Sequence, residues 1–293
     1  MSKLEKKPGE LWGLANKILK PSESGEHLIL GGLKTGLELE VEGIYQVHHD
    51  VAELISPYWK VVNDGSLRNH GREFVMTGPQ NGVDLENAIK ILDETLNICK
   101  EDSHNRVKYN WRTSLHVHHD CTKLTIKEIG SIVLTYLVFE KILIDYCDSS
   151  RKDNIFCAPI YAVEQVQEYL KVFLKTGELH LGEEQKYSAL NVGALRKFGT
   201  LEFRMHHGTH SFNEITQWLN ILGELRGAGR NMHKAGTLLD LPSIASSEGF
   251  YKFYKQCFPK TWNVLKKDKF TSEVENDVLQ GVRIVQRVLF DYF

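Results

Sequence analysis

An α+β fold in one domain is what the sequence predicts, and three features carry that reading. Short segments of the first half alternate apolar and polar residues at period two. Longer segments between them repeat apolar residues at helical spacing, and from Phe212 the pattern is helical almost to the end. A chain of 293 residues is long enough to bury a real core. The reading divides it into a lead-in over 1–30, a core over 31–225 and a helical C-terminal layer over 226–293 of the same domain.

The lead-in holds Pro8, Gly9, Pro21 and a Ser-Glu-Ser-Gly turn. Thr35 to Ile44 sets Leu37, Leu39 and Val41 against Glu38, Glu40 and Glu42, the alternation of a half-buried strand. Trp59 to Val62 is a second strand, closed by the turn signal Asn63-Asp64-Gly65-Ser66, and Glu73 to Thr77 a third, ended by Gly78-Pro79. Asp84 then caps a helix over Leu85 to Lys100, where Ala88, Ile89, Leu92, Leu96 and Cys99 share one face. Thr113 to His118 reads as strand, Thr125 to Tyr146 as a long apolar helix and Tyr161 to Lys175 as another helix. Lys186 to Arg196 has no clear period, whereas Gly199 to His206 is strand-like. The helical stretch after Phe212 is broken near Gly236, Pro242 and Pro259.

Composition removes several functions. Lys and Arg number 36 and Asp and Glu 38, a formal charge of −2, which argues against coating nucleic acid through bulk charge. Tyr251 to Phe270 sets Lys252, Lys255, Lys260, Lys266, Lys267 and Lys269 among aromatic rings, a pattern that could grip nucleic acid but more often marks the wet face of a helix. The most apolar stretch, Ser131 to Cys147, is interrupted by Glu140, Lys141 and Asp145 and falls short of a membrane span. No secretory signal opens the chain. The five cysteines are scattered without a CxxC pair, so the chain is expected to be reduced and cytoplasmic. A P-loop and a dinucleotide-binding glycine motif are both absent.

The chemistry is expected on the strands. Glu38 with Glu40, His116 with His118, and Glu202 with Arg204 each lie two apart, and Glu73 stands on a further strand. Residues two apart on a strand share a face. Four glutamates, two histidines and an arginine make a poor core face, but they suit hard cations and phosphate. Each pair alone also fits a solvated strand face or a structural ion pair. Glu42 continues the first alternation, so at least one of its three acids is expected simply to face water.

These segments, taken in order, resemble a known family. Gly36-Leu37-Glu38-Leu39-Glu40, Asn63-Asp64-Gly65-Ser66, Glu73-Phe74-Val75, Leu115-His116-Val117-His118, Lys186-Tyr187-Ser188-Ala189-Leu190-Asn191 and Gly199-Thr200-Leu201-Glu202-Phe203-Arg204 are followed by Gly208-Thr209 and Trp218. The order is similar to that of the amidoligases of phages, bacteria and fungi, within the carboxylate–amine ligase superfamily of glutamine synthetase and γ-glutamylcysteine ligases. The resemblance runs from Thr35 to Trp218. It implies a curved antiparallel sheet shaped as a funnel, ATP as cosubstrate, and Mg²⁺ or Mn²⁺ as cofactor. It implies metal ligation by Glu38, Glu40, Glu73, His116 and Glu202, with His116, Glu202 and Arg204 taking part in catalysis. It places His118, Lys186 and Arg204 on the nucleotide, and Asp64, Ser66, Tyr187 and Asn191 on the substrate. The partners it implies are a small-molecule or peptide carboxylate and an amine. Lys186 stands where the pattern more usually has Arg, and His119-Asp120 follows the histidine pair in place of an apolar residue and Asp.

Two other readings compete. His116-Val117-His118-His119-Asp120 spells HxHxD, which resembles the zinc motif of metallo-β-lactamase hydrolases and could recruit His180, His206, His207 or His210. That reading leaves the four glutamates without a role. The chain could also be a catalytically idle scaffold or virion protein of the same fold, although such a protein would be expected to have lost one or more of Glu38, Glu73, His116, Glu202 and Arg204. Cys157 could serve as a nucleophile, but a buried structural thiol is the commoner case.

Overall fold

The computed structural model describes residues 27–45, 52–53, 55–101, 105–179, 186–235, 247–265 and 272–290. The strands are β1 (Thr35–Val41), β2 (Trp59–Val62), β3 (Arg72–Met76), β4 (Ser114–Asp120), β5 (Leu190–Asn191) and β6 (Thr200–His207). They form one open antiparallel sheet in the order β2-β3-β1-β4-β6-β5. The helices described are α1 (Gly82–Glu101), α2 (Ile126–Tyr146), α3 (Glu164–Thr176), α4 (Ala194–Phe198), α5 (Phe212–Ala235), α6 (Ser247–Cys257), α7 (Trp262–Leu265) and α8 (Ser272–Phe290). Among the described residues no helix is long and apolar enough to cross a membrane. The chain forms two compact units, Met1–Asp120 with His206–Leu219 and Cys121–Met205 with Asn220–Phe293.

In the first unit, strand alternation sorts side chains as the pleat demands. Leu37, Leu39 and Val41 of β1, Phe74 and Met76 of β3, and Leu115 and Val117 of β4 are buried, as are Leu85, Ala88, Ile89, Leu92 and Leu96 of α1. The Trp59 indole of β2 donates to the Ala88 carbonyl at 2.8 Å, a direct bond between the sheet and α1. Glu42 is not the acid that faces water. It is 2% exposed and accepts from the Arg68 amide (2.8 Å), Asn69 Nδ2 (3.2 Å) and Asn110 Nδ2 (2.9 Å). A buried carboxylate needs such donors, and this one ties two loops to the end of β1. Beside it Asn69 and His70 both hold left-handed φ, at 50° and 56°. Their carbonyls receive the Gly43 and Ile44 amides. Gly43 has φ +82°, and a Cβ there would lie 1.9 Å from the Arg106 carbonyl oxygen, so only glycine fits.

The second unit is organised on α2, which is buried over most of its length. Its start carries a capping box, with the Thr125 side chain accepting from the Glu128 amide and Glu128 reaching back to the Thr125 amide. Glu140, near its other end, accepts from the amides of Ile160 (2.8 Å) and Tyr161 (2.9 Å) and from the Tyr136 hydroxyl (2.8 Å). The carboxylate thereby serves the orphan donors of the 3₁₀ turn Ile160–Ala162, and α3 starts only at Glu164, later than its periodicity predicts. Glu224 of α5 does the same for α7, accepting from the amides of Lys260 and Thr261, each at 2.9 Å. The segment Lys186 to Arg196 contains the short strand β5 and the start of α4, which Gly199 closes in left-handed φ. Pro259 falls between α6 and α7, whereas Gly236, Pro242 and residues 1–26 lie outside the described residues.

Two glycines let other helices approach α2 closely. A Cβ at Gly229 of α5 would lie 2.7 Å from the Ile132 Cα, and one at Gly281 of α8 would lie 2.5 Å from the Val138 carbonyl oxygen. Alanine gains about 1 kcal/mol of helix propensity over glycine. At Gly281 the obstacle is backbone rather than a movable side chain, and overpacking of this kind costs about 1–3 kcal/mol. Gly281→Ala is therefore expected to lower the denaturation midpoint. An unchanged or higher Tm would mean that the two helices separate freely.

Candidate active site

One face of the first unit's strands gathers the polar residues. Glu38 lies opposite Val75 of β3 and His116 of β4, Glu40 opposite Glu73, and Gly36 opposite His118. Cross-strand partners share a face, so Glu38, Glu40, Glu73, His116, His118 and Ser114 point to one side and the core residues to the other. The alternation expected from sequence is present on these strands.

Glu38 sits between the two histidines. Its Oε2 is 3.2 Å from His116 Nδ1 and its Oε1 is 3.4 Å from His118 Nε2. Burial works to raise the Glu38 carboxyl, but the hydrogen bonds and charge of His116 and His118 outweigh it and hold the group well below the usual carboxylate range. Glu40 is 5% exposed, and its Oε2 accepts from the Ser114 amide (2.9 Å) and the Ser114 hydroxyl (2.5 Å). The same hydroxyl lies 2.7 Å from His116 Nε2. A hydrogen-bonded row thus runs Glu40–Ser114–His116–Glu38.

Within the first unit ligand atoms gather in two groups, each with its atoms within 4.8 Å of one another: Glu38, Glu73 and His116, and Glu40, Asp64 and Glu73. Glu73 belongs to both. Asp64 reaches its group from the turn after β2, where its Oδ1 also accepts from the Ser66 amide at 2.6 Å. The Ser66 carbonyl receives Arg112 Nη1 at 3.2 Å, and the Arg112 guanidinium lies 4.3 Å from the Trp111 ring. Three carboxylates so close repel one another unless a cation or protons intervene. Oxygen donors with one imidazole suit Mg²⁺ or Mn²⁺, so these residues fit such an ion.

In the second unit, Glu202 and Arg204 share a face of β6 and are joined as an ion pair through Glu202 Oε1 and Arg204 Nη1. Asn191 of β5 lies opposite Glu202 and donates to its Oε2 at 2.6 Å, so the motif asparagine holds the motif glutamate. Lys186 and Tyr187 are both exposed, the ammonium lying 5.1 Å from the phenol ring. Arg151, fully buried, donates to the carbonyls of Arg204 (3.0 Å) and Met205 (3.2 Å) and braces the backbone of β6. Sequence reading passed over this residue, which lies on a turn without periodicity.

Asp120 joins none of the metal-competent groups among the described residues. Of the histidines offered as further zinc ligands, His206 stacks on His207 and packs on Trp218, and His210 meets the Tyr109 hydroxyl (2.7 Å) and Lys100 (3.1 Å). His180 lies outside the described residues. The five cysteines are buried and none is in a disulfide. Burial pushes the Cys157 thiol up, against the lowering charges of Arg151 and Arg204, which suits a structural role.

The strands thus carry an acid-and-histidine face of the kind that metal-using enzymes build. The chain belongs to the amidoligase family: the model described as "putative amidoligase enzyme" matches residues 29–223. No curated protein matches the chain significantly.

Proposed function

We propose that the chain is an ATP-dependent carboxylate–amine ligase that forms an amide or isopeptide bond through an acyl phosphate. The observation that carries the reading is the pair of ligand groups meeting at Glu73, found in a chain of the amidoligase family. A carboxylate is a poor acyl donor. Attack of its oxygen on the γ-phosphorus of ATP yields acyl phosphate and ADP, and an amine then displaces phosphate to leave the amide and a proton.

Glu38, Glu40, Glu73 and His116 would hold Mg²⁺ or Mn²⁺, and Glu202 keeps the ligand role that its motif implies. A bound divalent ion supplies positive charge against the triphosphate. Arg204 adds a planar cation where phosphoryl charge develops, and its bond to Glu202 keeps the guanidinium oriented. Asn191 acts on that pair as well as on substrate, while Asp64, Ser66 and Tyr187 face the substrate, and His118 and Lys186 the nucleotide. A carboxylate must also take the proton that the incoming ammonium loses. A glutamine-synthetase-like curved sheet belongs to this reading, with the open antiparallel sheet as its support, and the cysteines, none of them in a disulfide, support a cytoplasmic setting.

The test is ATP turnover with Mg²⁺, Mn²⁺ or Zn²⁺, with pooled amino acids and peptides supplied and products identified by mass spectrometry. Metal-dependent ADP release with a new amide product is expected. Arg204→Lys should lower turnover more than nucleotide affinity, because the guanidinium fork acts chiefly in the transition state. Zinc-driven hydrolysis without ATP would instead support the HxHxD hydrolase, and a chain inert to every metal and nucleotide the idle scaffold.

A further inference from the structure

The geometry points to Ser114 as a positioning residue that orients the His116 ring and joins the two ligand groups from behind. This inference rests on the metal-ligase reading and assigns a role to a residue outside the recognised motifs.

The argument is a hydrogen count. Ser114 Oγ carries one hydrogen and has two close neighbours, Glu40 Oε2 at 2.5 Å and His116 Nε2 at 2.7 Å. A carboxylate oxygen has no hydrogen to give, so the hydroxyl donates to Glu40. Oγ is then an acceptor toward the ring, and Nε2 must carry its hydrogen. Nδ1 is left as the nitrogen that faces Glu38 at 3.2 Å, and His116 belongs to the group with Glu38 and Glu73. With a cation bound between Nδ1 and Glu38, Nδ1 can offer its lone pair while Nε2–H is held from behind. Histidine ligands commonly have their second ring nitrogen held in this way.

The same hydroxyl acts on the second group. Glu40 Oε2 takes both the Ser114 amide and the Ser114 hydroxyl, which fixes the carboxylate of a residue that belongs to the group with Asp64 and Glu73. Ser114 therefore holds one ligand of each group, His116 of the first and Glu40 of the second. All three side chains are buried, at 2% exposure for Ser114, 2% for His116 and 5% for Glu40, so water competes poorly for these bonds.

Manganese binding to the full-length protein tests this by electron paramagnetic resonance, with echo modulation from ring nitrogen reporting histidine ligation. Ser114→Ala is expected to weaken Mn²⁺ binding by about 10–100-fold and to reduce the nitrogen modulation. Ser114→Thr, which keeps a hydroxyl, should restore both, and circular dichroism should show the alanine variant folded. If that variant does not fold, Ser114→Cys replaces it, and the same loss is expected from its weaker sulfur donor and acceptor. Unchanged affinity and modulation in a folded Ser114→Ala protein overturns the positioning role alone. A wild-type chain that takes up no Mn²⁺, with or without ATP, overturns the metal-ligase reading and this inference with it.

Discussion

Glu38→Ala is expected to reduce metal-dependent ATP turnover by about 10²–10³-fold or more while leaving the fold in place. The size follows from loss of charge stabilisation at a phosphoryl centre, where removing one fixed contributor typically costs about 3 kcal/mol of barrier. Glu38 contacts both motif histidines, so its loss also releases the His116 and His118 rings from their shared carboxylate. The fold should tolerate the change. The Glu38 side chain is 24% exposed and lies on the polar face, while Leu37 and Leu39 on either side supply the burial. Steady-state turnover, nucleotide affinity and a thermal melt on the same preparation decide the matter. Turnover within a few-fold of wild type in a folded variant would remove Glu38 from the site.

Much of the first unit is legible in the sequence because a strand's period of two is imposed by the pleat. Glu38, Glu40, His116 and His118 could be placed on one face before any pairing was known, and the observed register puts them there. What an outward residue meets on that face is a different question, set by distant segments. Glu42 illustrates this, since its donors come from Arg68, Asn69 and Asn110. Asp64 is similar, because its turn was readable but its closeness to Glu40 and Glu73 depends on how β2 and β3 pair. Ser114 did leave a local trace, being one more step of two before His116, yet serine is too common on strands for spacing alone to single it out.

The second unit was less legible. β5 has two residues and no period, and it is recognisable only through its pairing with β6. Glu140 and Glu224 look in sequence like breaks in apolar helices. Their partners, at Ile160–Tyr161 and Lys260–Thr261, lie about 20 and 36 residues further on in chains of contacts that no propensity encodes. Carboxylates that cap distant turns are tertiary features written with the same residue type as catalytic acids. Separating the two kinds requires knowing who donates to them.

Glu140 gives the second large effect, this time on stability. Burial, the dominant influence, pushes its carboxyl up to about 7, against the lowering bonds from Ile160, Tyr161 and Tyr136. With the folded value above the unfolded one of 4.5, the native state keeps a proton that the unfolded chain has lost. Its contribution is full below pH 4.5, declines as pH rises and is gone above about 7, a span worth about 3 kcal/mol. Tyr136, Tyr161 and Cys157 are titratable groups that feel the Glu140 charge, and burial raises all three, so the carboxyl is the group that changes charge in this window. The protonated acid can donate to the Tyr136 oxygen and still accept both amides. Glutamine cannot, because whichever oxygen its NH₂ replaces, a backbone N–H of Ile160 or Tyr161 then faces a donor. Glu140→Gln should therefore cost about 1–3 kcal/mol at pH 5, from one unsatisfied buried donor, and much less at pH 8, where the wild type bears its own buried charge. Urea midpoints of both proteins at several pH values between 5 and 8 measure this convergence. A deficit independent of pH would show that Glu140 does not change protonation in that range, and that its three donors hold it ionised throughout.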